Sequence, residues 1–348
     1  MIRNLKIVAF FMGLSYFGSF SQTQACECSW PSCYSCYQDC DEFCINVGLE
    51  GLYWIVHQSD LDYAVDFNAN NILGPKKTHF LDYDWEVGAR GWIAQNWNCG
   101  WNSKIVYTYY RNESTAAKDT TDKTIDLKAS LLHPSTGKED AEKATGEIHV
   151  KYRTLDFLLG KFFPYCDNSC TLRSFFGVRA LKIEQDLKVI YQGKDFGTGS
   201  QATPARVKWK SDLEALGLHA GLDMDYTTFC GFRLYGGFAG SILASRTNNH
   251  HHQQVLDKTK KTVTAEEIDL KEKQYVMVPG YHLTSGISWE TCCHNCFLFR
   301  VKVGYEYNKW FDTPQLRRYH YGNEGVSHSA SSGDIGLHGL TVATDFYF

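Results

Sequence analysis

The chain has 348 residues, 43% hydrophobic and 15% aromatic, with 29 glycines, 7 prolines, 13 cysteines and a formal charge of −4. Its mean hydropathy is −0.34. Beyond the first 25 residues no run of about 18 apolar residues exists, which excludes a helical membrane protein. The acidic balance argues against nucleic acid as a partner. Abundant Tyr, Phe and Trp at low mean hydropathy is instead what a membrane-spanning β-barrel needs. Half of each strand faces lumen or water, and aromatic girdles mark the two interfaces.

Residues 1–25 read as a secretory signal peptide. Arg3 and Lys6 make a basic start, an uncharged, mostly apolar stretch from Ile7 to Phe20 follows, and Ala25 precedes Cys26. Acylation of Cys26 is disfavoured by Thr23 and Gln24 just before it. Residues 26–44 form a cysteine-rich segment carrying Cys26, Cys28, Cys33, Cys36, Cys40 and Cys44. The barrel is expected over 45–348.

Period-2 alternation then predicts ten strands, near 45–57, 80–94, 101–110, 147–162, 171–183, 212–224, 229–243, 280–290, 297–310 and 334–348. In each, one phase is apolar or aromatic and the other small or charged. In the ninth, Val301, Val303 and Tyr305 alternate with Arg300, Lys302 and Glu306. In the last, Leu340, Val342, Phe346 and Phe348 share a lipid-compatible side. An edge strand of a secreted sandwich is the bland alternative for that last stretch. Residues 61–67 also alternate and suit an extension of the first strand above the membrane. A slip of phase near Leu155-Asp156-Phe157 suggests a bulge. A short hairpin arm is expected over 123–132.

Connections near 95–100, 164–170, 225–228 and 291–296 are short. Those near 58–79, 111–146, 188–210, 245–274 and 312–333 are long and polar. Long loops on one side and tight turns on the other is the outer-membrane pattern, with the short turns periplasmic. The fold class is therefore all-β, a transmembrane antiparallel barrel of about ten strands. Twelve to sixteen shorter strands, some within the long connections, would also suit the length.

The cysteines take sides. Besides the six in 26–44, Cys99, Cys166, Cys170, Cys230, Cys292, Cys293 and Cys296 all fall in or beside short turns. Every cysteine is thus expected at the periplasmic rim, in an oxidising compartment where disulfides form. An odd number leaves at least one thiol that stays free or pairs with another molecule. Cys33-x-x-Cys36 and Cys293-x-x-Cys296 have zinc-ligand spacing, but in an exported chain disulfides are the favoured reading.

The segments Gly51-Leu-Tyr-Trp54, Asp82-Tyr-Asp-Trp-Glu-Val-Gly-Ala-Arg90, Phe176-Gly-Val-Arg179, Leu234-Tyr-Gly-Gly-Phe-Ala-Gly240 and Gly304-Tyr-Glu-Tyr-Asn-Lys-Trp310, with Leu61–Val65 and Gly339-Leu340-Thr341, occur in an order that carries a resemblance. The chain resembles the pore-forming major outer membrane proteins of legionellae and Chlamydia-related bacteria. That implies a porin-like barrel passing small solutes and ions. In the chlamydial branch it also implies disulfide cross-links to itself or to other cysteine-rich envelope proteins. The segment 26–44 is a departure from the family's barrel core.

No phosphate loop, His-Glu-x-x-His or Gly-x-Ser-x-Gly is present, so no enzyme, cofactor or metal centre is expected. His250-His251-His252 reads as a solvated loop tip rather than a metal site. Asp82, Asp84, Glu86, Arg90, Arg173, Arg179, Arg233, Arg300, Lys302 and Glu306 fall on non-lipid phases. They line either an open channel or a plug of internal ion pairs. Ten strands leave a narrow bore at best, because eight are filled by side chains and sixteen hold water. A closed structural or adhesive barrel, whose loops and disulfides carry the function, is the alternative to a passive channel.

Overall fold

A computed structural model describes residues 44–68, 75–97, 100–120, 125–133, 140–165, 169–193, 203–228, 231–257, 263–293, 297–313, 315–322 and 325–348. The signal-peptide assignment, the cysteine segment up to residue 43, and Cys99, Cys166, Cys230 and Cys296 lie outside these. The elements are β1 (Cys44–Gln58), β2 (Asp62–Asn68), β3 (Pro75–Phe80), β4 (Glu86–Asn96), β5 (Trp101–Asp119), β6 (Ile125–Ala129), β7 (Asp140–Ala141) and β8 (Lys143–Tyr165). Then come β9 (Cys170–Gln192), β10 (Ala205–Thr227), β11 (Phe232–Leu256), β12 (Val263–Cys293), β13 (Phe297–Trp310), β14 (Gln315–Gly322), β15 (Gly325–Ser332) and β16 (Ile335–Tyr347).

Ten strands close into a barrel in the order β1-β16-β13-β12-β11-β10-β9-β8-β5-β4. They are the ten that alternation predicts, in sequence order, and every pairing is antiparallel. Closure is made by the last strand on the first, with Val47 opposite Phe346 and Tyr53 opposite Leu340. No open edge remains in the wall, as a lipid-exposed sheet requires.

The long connections differ from expectation. Residues 245–274 are mostly wall and 188–210 partly so, since β9 runs to Gln192, β10 starts at Ala205, β11 runs to Leu256 and β12 starts at Val263. About 9–11 residues suffice to cross the hydrocarbon, yet β12 has 31. The wall from β5 to β12 therefore stands well above the membrane. Residues 61–67 are not an extension of β1. They form β2, the centre of a separate sheet ordered β3-β2-β6-β7. The arm expected at 123–132 is β6, which pairs with β2 and β7 rather than with itself. Residues 312–333 form the hairpin β14-β15.

The bulge expected at 155–157 is absent: β8 pairs residue by residue with β5 and β9 through Asp156. What changes there is polarity. Below it, Leu155 and Phe157 point outward and Asp156 inward. Above it, Ile148, Val150 and Tyr152 are the buried, inward residues, while Lys151 and Arg153 stay at the surface. The backbone phase is constant and the two faces exchange solvents, because lipid surrounds one half of the strand and water the other. β9 and β10 repeat the inversion, with Leu181, Ile183, Leu187, Val207, Trp209 and Leu213 inward in the upper half.

These upper inward residues form one apolar core with Leu61, Tyr63, Leu127, Leu131 and Ala141 of the small sheet and its flanks. Polar ties fix the two together. Tyr191 donates to the Tyr63 carbonyl (2.6 Å) and Gln253 accepts from the His133 amide (2.8 Å). The small sheet thus fills the bore at the long-connection end.

Candidate functional site

The bore inside the membrane-crossing half is the candidate site, because most of the expected inward charges meet there. Glu50 of β1 and Arg90 of β4 are paired residues, and Glu306 reaches them from β13. Arg90 donates to Glu50 (2.8 Å) and through both terminal nitrogens to Glu306 (2.7 and 2.8 Å). His282 Nε2 lies 2.8 Å from the same Glu306 carboxylate, and Asn308 donates to it at 2.8 Å. Glu306 is 1% exposed. A carboxylate at that depth needs several donors to offset its lost hydration.

On the facing wall, Arg179 makes a bidentate pair with Asp156, both contacts 2.7 Å. Arg173 donates to Asp223 (2.9 Å) and Asn102 (3.0 Å). Glu290 accepts from both Arg233 and Arg300. Lys302 sits 2.9 Å from Asp345. Aromatic rings occupy the space between. Trp92 donates to Asn46 (3.0 Å) and lies under the Lys104 ammonium at 4.6 Å. It rests directly on Gly48, where any Cβ would collide with the indole. Trp92, Val106, Leu158, Phe175, Ala239 and Ala343 form a second buried apolar cluster inside the wall.

Of the expected lining, Arg90, Arg173, Arg179, Arg233, Arg300, Lys302 and Glu306 are brought into this network. Glu86 opens β4 on the inward phase and is half-buried. Asp82 and Asp84 precede β4 and are exposed. Their carbonyls instead accept from Ser114 and Asn112, tying residues 81–85 to β5. The anionic partners Glu50, Asp223, Glu290 and Asp345 share the charged phase of their strands, which was the signal for them. Asp156 was obscured by reading a polarity change as a bulge. His250-His251-His252 is not a loop tip but part of β11. His251 is buried inward, and His250 and His252 stack outside it at 5.6 Å. Among the described residues no group of His, Cys, Asp and Glu is arranged to hold a metal.

Outside the same half, Leu49, Val87, Ile105, Phe157, Val178, Leu218, Phe238, Ile287, Val303 and Leu340 form an exposed apolar band. Such a band around a closed wall is stable only in lipid. A family profile described as the Legionella pneumophila major outer membrane protein precursor matches residues 38–348. The chain belongs to this family. Membership in the major outer membrane protein family, with the closed barrel, places the protein in the bacterial outer membrane. No curated protein matches it significantly. Among solved structures, the outer membrane protease OmpT from Escherichia coli is similar at 11% identity and TM-score 0.49, over 88% of this chain and 97% of that one. A major outer membrane protein from Thermus thermophilus is similar at 10% identity and TM-score 0.30, over 88% and 99%. A Pseudomonas aeruginosa FadL homologue gives 6% and 0.26, over 88% and 90%. At these values none of the three bears on activity.

Proposed function

We propose that this major outer membrane protein is a closed structural barrel, acting without catalysis, that spans the outer membrane and carries a folded extracellular half. The observation behind this is the double filling of the bore. Ion pairs and Trp92 occupy the membrane half, and the small sheet with its apolar core occupies the outer half. A ten-stranded wall has little room beyond its own side chains. Passive diffusion of small solutes or ions, the reading implied by the resemblance, would need these groups to separate. Planar-bilayer recording tests it. The full chain is expected to give no steady conductance, and Trp92→Ala combined with Glu306→Gln is expected to raise leak through the lower half. Steady ohmic steps from the unaltered protein would establish the channel instead.

The cysteines fit the same structural role. β1 begins at Cys44, β9 at Cys170, and β12 ends at Cys292-Cys293, all at the short-turn end. Cys170 is half-buried and has no disulfide partner among the described residues. By the rule that short turns are periplasmic, we read this rim as the face that cross-links to copies of itself or to other cysteine-rich envelope proteins. Reducible multimers on non-reducing gels, weakened by Cys33→Ser, Cys36→Ser, Cys40→Ser and Cys44→Ser together, are the expected result. A monomer under oxidising conditions rejects the cross-link.

A further inference from the structure

The register of β5 to β12 lays outward residues in rows that run across the strands. One row is Tyr107, Leu155, Ala180, Leu216, Ala244 and Met277, each paired with the next. It is the last apolar row. The next row up is Tyr109, Arg153, Lys182, Glu214, Arg246 and Tyr275. Three cations face one carboxylate there, with an exposed tyrosine at each end. The row above holds Arg111, Lys151 and Lys273 against Glu184 and Asp212. In the third, Lys210 and Lys271 are balanced by Asp186 and Glu113. The positive excess is therefore greatest where acyl chains end and fades away from the membrane.

The surface is also concave. A groove of about 750 Å³ crosses these strands next to the row of Arg153, Lys182 and Arg246, which do not line it; its walls mix Arg111, Lys151 and Lys273 with Glu184, Asp186 and Asp212. Lys182 lies 2.8 Å from Glu214, 3.4 Å from Glu184 and 3.5 Å from Asp212, and Arg153 lies 3.6 Å from Glu184. Arg246 is exposed and has no ion-pair partner among the described residues. Among the described residues Lys273 meets the Tyr275 ring, 5.3 Å from its ammonium. The described residues on the other side of the wall do not repeat this pattern. There the rim is aromatic, with Trp85, Tyr305 and Tyr307 gathered around His338.

We propose that the outer face of β8 to β12 is a docking site for the phosphate-bearing head group of an outer-leaflet glycolipid. Acyl chains would lie on Leu155, Leu216 and Met277, and the phosphates against Arg153, Lys182 and Arg246. A free anion would satisfy the cations but not the apolar row directly beneath them. The inference rests on placement in the outer membrane and is independent of whether the bore conducts.

The test uses the full chain folded in zwitterionic detergent, titrated with diphosphoryl lipid A and, separately, with its dephosphorylated counterpart, and read by native mass spectrometry. Each charge near a membrane surface contributes about fivefold in affinity. Replacing Arg153, Lys182 and Arg246 together by Gln should thus weaken the phosphorylated lipid by roughly 100-fold. Arg246→Gln alone, an exposed change that leaves folding intact, should weaken it about fivefold, with Arg246→Lys close to the unaltered protein. Equal binding of the dephosphorylated lipid, or no loss in Arg246→Gln, overturns the proposal. Displacement of the lipid by millimolar inorganic phosphate overturns the choice of a lipid.

Discussion

Arg90 is the residue on which the bore's pairing turns, because it joins three strands through two carboxylates. Replacing it with Met would leave Glu306 with His282 and Asn308 alone at 1% exposure. A buried pair broken on one side typically costs about 3 kcal/mol or more. Unfolding of Arg90→Met in detergent should show a loss of that size, partly restored by Glu306→Gln in the same chain. Equal stability of single and double variants would mean the pairing is not structural. Lys302 follows the same logic. Its inward phase alone suggests that Lys302→Ala is harmless, but it holds the buried Asp345, so that change should destabilise unless Asp345→Asn accompanies it.

His251 supplies a pH dependence in the extracellular half. Burial, reinforced by the neighbouring His133, His250 and His252 and opposed by Glu272, lowers its imidazole to about 4. Between about pH 4 and 6.5 the folded protein keeps it neutral while the unfolded chain binds the proton. Stability therefore rises with pH through that window and is lost on acidification. Protection factors in the upper part of β11, taken relative to the intrinsic exchange rate at each pH, should fall between pH 7 and pH 5, and His251→Gln should flatten the change. Unaltered protection at pH 5 would show that His251 does not couple to opening.

At the scale of elements, the membrane-crossing segments were legible and their upper continuations were not. Val301, Val303 and Tyr305 alternate with charges under one rule, apolar outward, so β13 was found with its ends. β11 above Leu243 obeys another rule. Its inward residues are Ser245, Thr247, Asn249, His251 and Gln253, and its outward ones include Arg246 and His250. Polar on both faces, it reads as a loop. Its strand identity comes from pairing with β10 and β12, which no local pattern contains. The small sheet was missed for a related reason, since β2 pairs with β6 across about sixty residues of sequence. The charged half of the site was legible by phase; which carboxylate meets which guanidinium was not, because those partners come from different strands. For the band itself, Val303→Arg should cost about 2–4 kcal/mol near the bilayer midplane, measured against Val303→Leu in lipid refolding. A neutral outcome would move β13 out of the hydrocarbon.

For the whole molecule, the barrel is one hydrogen-bonded wall whose closure, β1 on β16, involves no thiol. Reduction should therefore leave the heat-modifiable folded band on gels unchanged while it dissolves any multimers. Loss of that band under reductant would mean that the rim cysteines hold the wall.

The exchange of solvents between the lower and upper halves of β8, β9 and β10 also bears on assembly. During export a nascent strand can join its neighbour one residue out of step, which turns every side chain to the opposite face. In a barrel with a watery interior throughout, only the lipid-facing half would object. Here the mistake would also bring Lys151, Lys182 or Glu214 into the upper core and strand Ile148, Ile183 or Leu213 in water. Each long strand is thus proofread twice, once by lipid and once by its own interior, and a misassembled wall fails both checks together.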